Sequence, residues 1–202
     1  MYVPSHFSAS DREFCYAVIL QNPLGELVTT DPAGAPFATR LPFVLDAERN
    51  ALLGHMARAN PQWRHFETGK AALAIFHGPH AYVSPGWHET QPSVPTWNYV
   101  AVHVYGTPKI VEDRESAQNL LRRMVEAYER GHEPSWSMDS LPSDYLEAMM
   151  RAIVAFELPI ERLAGKAKLS QNRSAEDRRR VAAALARSSD DSARATARAM
   201  KE

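Results

Sequence analysis

The chain has 202 residues, 45% of them hydrophobic and 23% charged, which is enough for one sizeable core and at most a small appendage. Its 23 basic and 24 acidic residues give a formal net charge of -1, which excludes a global field drawing the chain to nucleic acid or membrane. A single cysteine, no run of ~18 apolar residues and no signal-peptide pattern at residues 1–10 predict a protein of the reducing cytoplasm without a membrane span.

The first part of the chain contains short strands between two helices. Ser10 and Glu13 form a capping box that predicts a helix, and Pro23 ends its apolar pattern. An Asn-Pro pair beginning at Asn60 predicts the start of a short helix that ends at Gly69. Turn residues between the two helices bound three predicted strands, at residues 27–30, 37–45 and 51–56.

Strands dominate the middle of the chain and helices dominate its flanks. Apolar runs and alternation predict further strands at residues 71–76, 81–84, 99–105, 108–112 and 155–160. Helical spacing predicts helices at residues 115–128 and 143–154. Because the strands cluster instead of alternating with helices, we expect an α+β fold, mainly antiparallel β, built as a sheet or barrel.

The C-terminal part of the chain is more basic than the rest. From Arg162 onward it carries 11 basic and 5 acidic residues, a local balance of +6, so this part could contact a polyanion. Ser174 caps a predicted helix rich in Arg and Ala. From Ser188 the residues are small, polar and charged, which predicts a flexible or frayed helical tail. We therefore expect one domain over residues 1–187 and a tail over residues 188–202.

A candidate anion site lies where a predicted strand runs into the short helix. His55 and Arg58 are at the end of the strand, and Asn60 precedes a helix start whose free N–H groups and dipole favour an anion. Arg58 would add paired donors for a phosphate. Taken alone, these residues favour a purely structural interpretation, with Arg58 as a solvated turn residue and Asn60 as a cap only.

The predicted strand over residues 37–45 contains a proline. Strand alternation places Thr39 and Leu41 on one side and Arg40 and Pro42 on the other. A proline at such a position indicates an edge strand or an interrupted ladder. The interruption either leaves backbone groups free for a planar ligand or only blunts an edge.

An aromatic segment surrounds the loop between two later strands. Residues 82–99 hold two Trp, two Tyr and three Pro, and Trp97 is among them. Aromatic faces suit a flat heteroaromatic ligand, and the same composition makes a rigid dimer interface. In a dimer, both interpretations can hold at once.

Residues 165–173 are dense in hydrogen-bond donors and precede the capped helix. They include Lys168 and Arg173. This predicted loop could close over a ligand phosphate or over a partner subunit, and it could equally be solvated.

Other catalytic patterns find little support in the sequence. His77, His80 and His88 are close together, but no carboxylate or cysteine shares their spacing. The Gly-Pro pair between His77 and His80 predicts a turn, so we expect no metal. The chain also lacks a Gly-x-Ser-x-Gly elbow, a phosphate-binding loop and a dinucleotide fingerprint.

Several motifs together resemble one known family. They are MYVP at residues 1–4, LPF at 41–43, HMARANPQW at 55–63, YVSP at 82–85, VPTWNY at 94–99 and KLSQNR at 168–173. In this order, from Met1 to about Leu185, they resemble the PaiB family. Several of the motifs are long and rich in rare residue types, so their joint occurrence is highly specific.

The resemblance implies an FMN-binding split β-barrel with flanking helices and a C-terminal helical extension, related to pyridoxamine-phosphate oxidase and flavin reductase barrels. It also implies a cytoplasmic homodimer with FMN at the subunit interface and no membrane. PaiB-type proteins are named as negative transcriptional regulators of protease production and sporulation. We expect the flavin ring to contact Thr39, Arg40, Leu41 and Trp97, and the phosphate to contact His55, Arg58, Asn60, Lys168 and Arg173.

Three features depart from the family pattern. Thr39 and Arg40 stand where the family tends to carry Asn-His, and Ala167 stands where an aromatic residue is expected. The loop from Trp87 to Val94 is shorter than usual. These departures bear on ligand affinity and substrate access, and Arg40 would favour an anionic ring or substrate.

Three other functions stay open beside the regulatory one, and no catalytic residue is assigned. A flavin-dependent oxidoreductase would use FMN with NADH or NADPH. A DNA-binding regulator would act through the basic tail, although no helix-turn-helix is recognisable. A haem-handling split barrel would use His103, although its position on a predicted strand favours a core or interface histidine.

Overall fold

The computed structural model describes residues 1–201 of the chain. Its helices are α1 Arg12–Gln21, α2 Arg114–Glu129, α3 Ser143–Arg151, α4 Ala175–Ala186 and α5 Asp191–Ala199, with 3-10 helices at Ser5–Phe7, Pro61–Thr68, Pro85–Trp87 and Met138–Ser140. Its strands are β1 Leu24–Thr30, β2 Pro36–Asp46, β3 Ala51–Ala57, β4 Ala72–Val83, β5 Thr96–Gly106, β6 Lys109–Ile110, β7 Ile153–Pro159 and β8 Arg162–Lys168. Within residues 1–201, no helix has the length and apolar character needed to cross a membrane.

The chain forms two compact units. The central unit consists of residues 22–76 and 104–163, and the terminal unit consists of residues 1–21, 77–103 and 164 onward. Strands β4, β5 and β8 contribute residues to both units.

The central unit is built on an antiparallel sheet. Its strands are hydrogen-bonded in the order β6-β7-β3-β2-β1-β4. Leu24 of β1 lies opposite Pro42 of β2, and Gly54 of β3 lies opposite Phe156 of β7. Sequential strands that pair antiparallel in this way confirm the predicted α+β class.

Aromatic side chains fill the core of the central unit. The ring of Phe43 packs edge-on against Phe76 and Phe156, with centroids 5.5 and 6.1 Å away, and Phe66 packs against Phe156 at 5.2 Å. Each such ring, fully buried, stabilises the fold by ~1.5–3 kcal/mol relative to an exposed one. A Cβ at Gly54 would lie 2.7 Å from the Phe156 ring, so this core depends on glycine there.

The two long helical segments of the central unit are held very differently. Helix α2 is capped by Asp113, which accepts a hydrogen bond from the Ser116 N–H, and it buries Leu120 and Met124 next to Leu53. Helix α3 has no buried residue. Since buried apolar contacts anchor a helix, α3 is the more weakly anchored of the two.

In the terminal unit, strands follow the order β4-β5-β8 and helices α1, α4 and α5 supply most of the remaining core. The side chains that are fully or almost fully buried in this unit include Cys15, Ile19, Val83, Val102, Val181 and Leu185. Asn98 is also fully buried, and its amide donates to and accepts from the Ser170 hydroxyl at 3.0 and 3.1 Å. This pair satisfies a polar side chain that would otherwise destabilise the core.

Strand β4 corrects the prediction of two strands separated by a Gly-Pro turn. It runs without a break through Gly78 and Pro79, so the turn predicted between His77 and His80 is wrong. A Cβ at Gly78 would lie 2.9 Å from the Val100 Cβ. Glycine at this position therefore allows the backbone to lie close to the Val100 side chain; it does not form a turn.

Strand β8 corrects two further predictions. Residues 162–168 form a strand and not a donor-rich loop, and Lys166 within it is buried. Ser10 exchanges hydrogen bonds with the Gly165 backbone, at 3.0 Å as acceptor and 3.4 Å as donor, so it does not cap α1. The cap is Asp11, whose carboxylate accepts from the Phe14 N–H at 3.0 Å.

Most of the C-terminal tail forms helix α5. Asp190 caps α5 by accepting from the Ser192 N–H at 2.9 Å, and Ala193, Thr196 and Ala197 are buried. The sequence predicts a helical tail that is flexible or frayed, and its flexibility stays a prediction. Small side chains provide little hydrophobic signal, yet they allow close helix packing.

Candidate functional site

The junction between β3 and the following 3-10 helix is fixed by Asn60. Its side-chain oxygen accepts from the Gln62 N–H, and its amide donates to the Thr39 hydroxyl, both at 3.0 Å. Pro61 occupies the first position of this helix, and Gly69 ends it with a left-handed φ of 64°. The predicted cap and helix are confirmed, and both polar atoms of the Asn60 side chain have protein partners.

Arg58 holds the turn between α3 and β7. Its guanidinium donates from Nε to the Arg151 carbonyl at 2.8 Å and from Nη2 to the Ile153 carbonyl at 2.7 Å. Its backbone N–H donates to the Ala152 carbonyl at 2.8 Å. A guanidinium carries five N–H donors, so three remain for a ligand or for water.

The Arg58 side chain also lines a cavity of about 440 Å³. Arg114, Glu147 and Arg151 share this cavity. Glu147 pairs with the Arg114 guanidinium at 2.8 Å and with that of Arg151 at 3.7 Å, and the first of these pairs is the main reason why the pKa of Glu147 is lowered. We call this space the Arg58 cavity.

His55 lines a second, larger space in the central unit. This His55 cavity measures about 600 Å³, and its main lining residues are Pro42, His55, Met124, Tyr128, Trp136, Tyr145 and Met149. The His55 Nδ1 is buried and has no hydrogen-bond partner among the described residues. Burial lowers the pKa of His55, so the ring is neutral at pH 7.

Tyr128 fixes one wall of the His55 cavity. Its hydroxyl donates to the Phe43 carbonyl at 2.7 Å, and burial raises the pKa of the hydroxyl. The aromatic ring is thereby held on α2 next to β2. The cavity consequently has a rigid wall on the side of the sheet and α2, whereas α3 is weakly anchored on the other side.

The residues of β2 divide between two faces, as strand alternation predicts. Leu41 is buried, and Thr39 is bonded to Asn60. Arg40 has 64% of its side chain exposed and lies 3.7 Å from Glu26. Arg40 therefore shares its face of β2 with Pro42 and not with Thr39 or Leu41.

The remaining predicted residues lie in the terminal unit. Trp97 is 53% exposed and packs edge-on against Tyr82, with centroids 5.9 Å apart. Lys168 donates to the Thr96 hydroxyl and, at 2.6 Å, to the Trp97 carbonyl. Burial, followed by the charges of Lys166 and Arg173, lowers the pKa of Lys168.

The structure thus assembles the predicted residues in two groups. Thr39, Arg40, Leu41, His55, Arg58 and Asn60 belong to the central unit, and Trp97, Lys168 and Arg173 belong to the terminal unit. Sequence reasoning missed the walls of the His55 cavity that α2, α3 and the segment between them supply. The available signal was weak: Trp136 and Tyr145 are aromatic residues in amphipathic or polar surroundings, and they remain 44% and 52% exposed.

Histidine clustering does not produce a metal site within the described residues. No group of three or more His, Cys, Asp or Glu side chains there is arranged to hold a metal ion. His88, one of the clustered histidines, is buried, and its Nδ1 pairs with the Ser93 hydroxyl at 2.7 Å.

Comparisons with known proteins relate this chain to one family. A family model described as "Putative FMN-binding domain" matches residues 1–162. The "Protease synthase and sporulation protein PAI 2" of Bacillus subtilis (strain 168) is 37% identical over 204 residues, covering 100% of this chain and 97% of that protein.

Two solved structures share the fold at low sequence identity. The flavocytochrome Anf3 from Azotobacter vinelandii aligns with a TM-score of 0.67 and 16% identity over 87% of this chain and 77% of that one. The FAD and heme binding protein from Mycobacterium smegmatis aligns with a TM-score of 0.64 and 16% identity over 85% and 78%. These likenesses confirm the expected split-barrel fold. With the whole-chain match to PAI 2, they show that this chain belongs to the PaiB family of FMN-binding-domain proteins.

Proposed function

We propose that this chain binds FMN in its central unit and works as a cytoplasmic homodimer with a regulatory role. The observation that carries the proposal is the His55 cavity, which is lined by residues of β2 and β3 from the segments that resemble the family. The family description supports flavin binding, and the name of the Bacillus subtilis relative supports a role in protease production and sporulation.

The His55 cavity has the size and the chemistry that a flavin ring requires. Its volume of about 600 Å³ falls within the range of ~300–1,000 Å³ typical of small-molecule sites. Tyr128 and Trp136 offer aromatic faces to a planar ligand. The neutral His55 ring brings one buried nitrogen without a protein partner, and such an atom is stabilised by a ligand hydrogen bond.

The phosphate fits the Arg58 cavity. Met150 and Ile153 line both cavities, so the two spaces adjoin each other beneath α3. Arg58 retains three unused N–H donors, and the lining of the cavity has three arginines against Glu112 and Glu147, so its net charge is positive. Paired guanidinium donors are the usual partners of phosphate oxygens.

The other predicted contacts have supporting or separate positions. Thr39 and Asn60 act by fixing the junction of β2 with the 3-10 helix, and Leu41 packs in the core. Arg40 lies on the same face of β2 as Pro42, where its positive charge favours an anionic ring edge. The flavin site proposed here does not use Trp97, Lys168 or Arg173.

A homodimer would complete the site at the subunit interface. Tyr145 and Met149 of α3 line the His55 cavity and are 52% and 44% exposed, and Trp136 is 44% exposed. Apolar side chains that line a ligand cavity and also face solvent favour a second subunit as their cover. Because α3 has no fully buried residue and contributes only the partly buried Met150 to the core, packing against a partner would anchor it more firmly.

A flavin-dependent oxidoreductase is the second candidate function, and the flavocytochrome and the FAD and heme binding protein that share this fold favour it. A bound flavin accepts hydride from NADH or NADPH. In either function the residues of this chain do the same work: the cavity walls exclude water, His55 orients the ring edge and Arg58 holds the phosphate.

A DNA-binding tail has less support. Arg194 of α5 donates to the Ser188 carbonyl at 2.8 Å and pairs with Asp191, so part of the basic charge is already engaged. Direct binding through this helix predicts affinity for DNA that falls steeply with salt. A variant ending at Arg187 that keeps full DNA affinity would exclude the tail.

The first experiment is a titration of the purified protein with FMN, followed by flavin absorbance and fluorescence, with light scattering to size the species. We expect a dimer that binds one FMN per subunit. His55→Gln should weaken binding because it removes the ring contact, and Arg64→Ala is the matched control, since Arg64 is an exposed arginine of the neighbouring 3-10 helix.

Each outcome of this titration points to one function. Tight FMN binding with rapid reduction by NADH or NADPH in stopped flow supports the oxidoreductase, and tight binding without reduction supports the regulator. A dimer that does not bind FMN refutes the flavin site. A Soret band after haem addition would then assign a haem-handling role.

A further inference from the structure

The terminal unit contains an aromatic cavity of its own. It measures about 450 Å³, and we call it the Trp97 cavity; its principal lining residues are His80, Tyr82, Trp87, Trp97, Leu185 and Arg187. None of these residues lines the His55 cavity or the Arg58 cavity. The space is therefore separate from the flavin site proposed above.

The aromatic walls of this cavity are open to a ligand. Trp97 is 53% exposed and Tyr82 is 46% exposed, and their rings meet edge-on at 5.9 Å. The His80 ring lies 6.3 Å from Trp97 at an interplanar angle of 35°. Because Trp97 and Tyr82 are both about half exposed, a planar aromatic ligand can stack on them.

The walls are held in place without a ligand. The Ser192 hydroxyl accepts from the His80 N–H at 3.0 Å and donates to the His80 carbonyl at 2.8 Å, which ties β4 to α5. Lys168 donates to the Trp97 carbonyl at 2.6 Å, which ties β5 to β8. A ligand entering this space would not need to order the backbone first, which favours binding.

The rim of the cavity carries a cation. Arg187 follows the last turn of α4 and is exposed, and its guanidinium has no hydrogen bond or ion pair with the described residues. The nearby Asp190 carboxylate is engaged by the Ser192 N–H at 2.9 Å as the cap of α5. Arg187 is therefore the rim group with unused N–H donors, and these donors can pair with an anionic group on the ligand.

From these features we infer that the Trp97 cavity is a second small-molecule site, for a planar aromatic compound that carries an anionic group, such as a nucleoside monophosphate. The aromatic part stacks on Trp97, and the anionic part pairs with Arg187. Binding of this kind is noncovalent, so it requires no further reactant.

Isothermal titration calorimetry with AMP tests this inference in the full-length protein. AMP should bind with 1:1 stoichiometry, and adenosine should bind roughly tenfold more weakly because it lacks the charge. Arg187→Gln should weaken AMP by about the same factor and leave adenosine unchanged. Arg180→Gln is the matched control, because Arg180 is an exposed arginine of α4 outside the cavity, and it should bind as the wild type does.

Variants of Trp97 test the stacking half of the site. Trp97→Leu should weaken AMP and adenosine alike, by roughly tenfold, whereas Trp97→Phe should restore most of the affinity. Light scattering and circular dichroism establish that each variant keeps its fold and its oligomeric state. One equivalent of FMN per subunit, which fills only the flavin site, should leave AMP binding unchanged, since the two sites share no residue.

Three results would overturn the inference. If millimolar AMP gives no binding heat, the site does not exist. If Arg187→Gln and Arg180→Gln lose AMP affinity equally, AMP binds through general surface charge. Displacement of AMP by one equivalent of FMN per subunit would mean that both ligands use one site. A chain that binds AMP but not FMN would refute the flavin proposal and leave this inference intact.

Discussion

Replacement of Arg58 separates its structural role from its role towards a ligand. Its guanidinium bridges the carbonyls of Arg151 and Ile153, which flank the turn from α3 into β7. In Arg58→Ala both hydrogen bonds are lost. In Arg58→Lys the positive charge stays, but a single ammonium cannot reproduce the planar fork that reaches two carbonyls.

The size of the effect follows from these two contacts. A hydrogen bond to a charged donor contributes ~1.5–3 kcal/mol when it is shielded from water. Arg58 is exposed, so water replaces much of each contact, and we expect a total loss of about 1–2 kcal/mol for Arg58→Ala. For a chain of this size that loss corresponds to a fall in Tm of roughly 3–6 °C.

Most of this loss should appear locally, because α3 has no buried residue to hold it in place. Hydrogen exchange measured by mass spectrometry should accelerate in peptides covering residues 143–153 and stay unchanged in β3. FMN affinity should fall in both variants, since α3 supplies a wall of the His55 cavity. Arg64→Ala should change none of these quantities.

A different pattern would refute the reasoning. If Arg58→Lys keeps wild-type exchange over residues 143–153 and full FMN affinity, Arg58 acts through its charge alone and the fork is irrelevant. If Arg58→Ala melts at the same temperature as Arg64→Ala, the two carbonyl contacts contribute nothing to stability.

Three further predictions concern single residues. Burial raises the pKa of the Cys15 thiol to about 11, so it should resist Ellman's reagent at pH 8 in the native protein and react fully in denaturant. The folded-state pKa of His55 lies below its ordinary value of 6.5, so the unfolded chain binds more protons; stability should fall as pH drops below about 6.5, and less so in His55→Gln, as measured by urea unfolding. Gly165→Ala should destabilise the protein by about 2–4 kcal/mol, because its Cβ would lie 2.1 Å from the Ala9 carbonyl oxygen, whereas Gly86→Ala, whose nearest neighbour is at 3.6 Å, should melt within ~1 °C of wild type.

Elements with strong local signals were predictable from the sequence. The 3-10 helix Pro61–Thr68 has a polar cap, a first-turn proline and a terminal glycine in the left-handed region, and each signal has a local physical cause. Helix α2 combines apolar periodicity with the Asp113 cap. Local signals predict such elements correctly, since their tertiary contacts favour the same structure.

Elements that depend on distant partners were not predictable. The Gly-Pro pair at Gly78 has a turn signature, but β4 continues through it, and glycine is needed there because a side chain would clash with Val100. Helix α5 lacks large apolar residues, yet Ala193, Thr196 and Ala197 are buried because small side chains permit close packing. A single sequence contains no record of these neighbours.

The same distinction explains what the sequence revealed about the site. His55 and Arg58 are three residues apart, and their motif pointed directly to one end of β3. Arg58, however, bonds to carbonyls 93 and 95 residues away, and Tyr128 of the cavity wall bonds to a carbonyl 85 residues away. Those long-range contacts turn a short motif into a cavity. A residue chosen for phosphate binding from its type alone therefore also positions α3, and its replacement has to be measured on α3 before any loss of ligand is assigned to the phosphate.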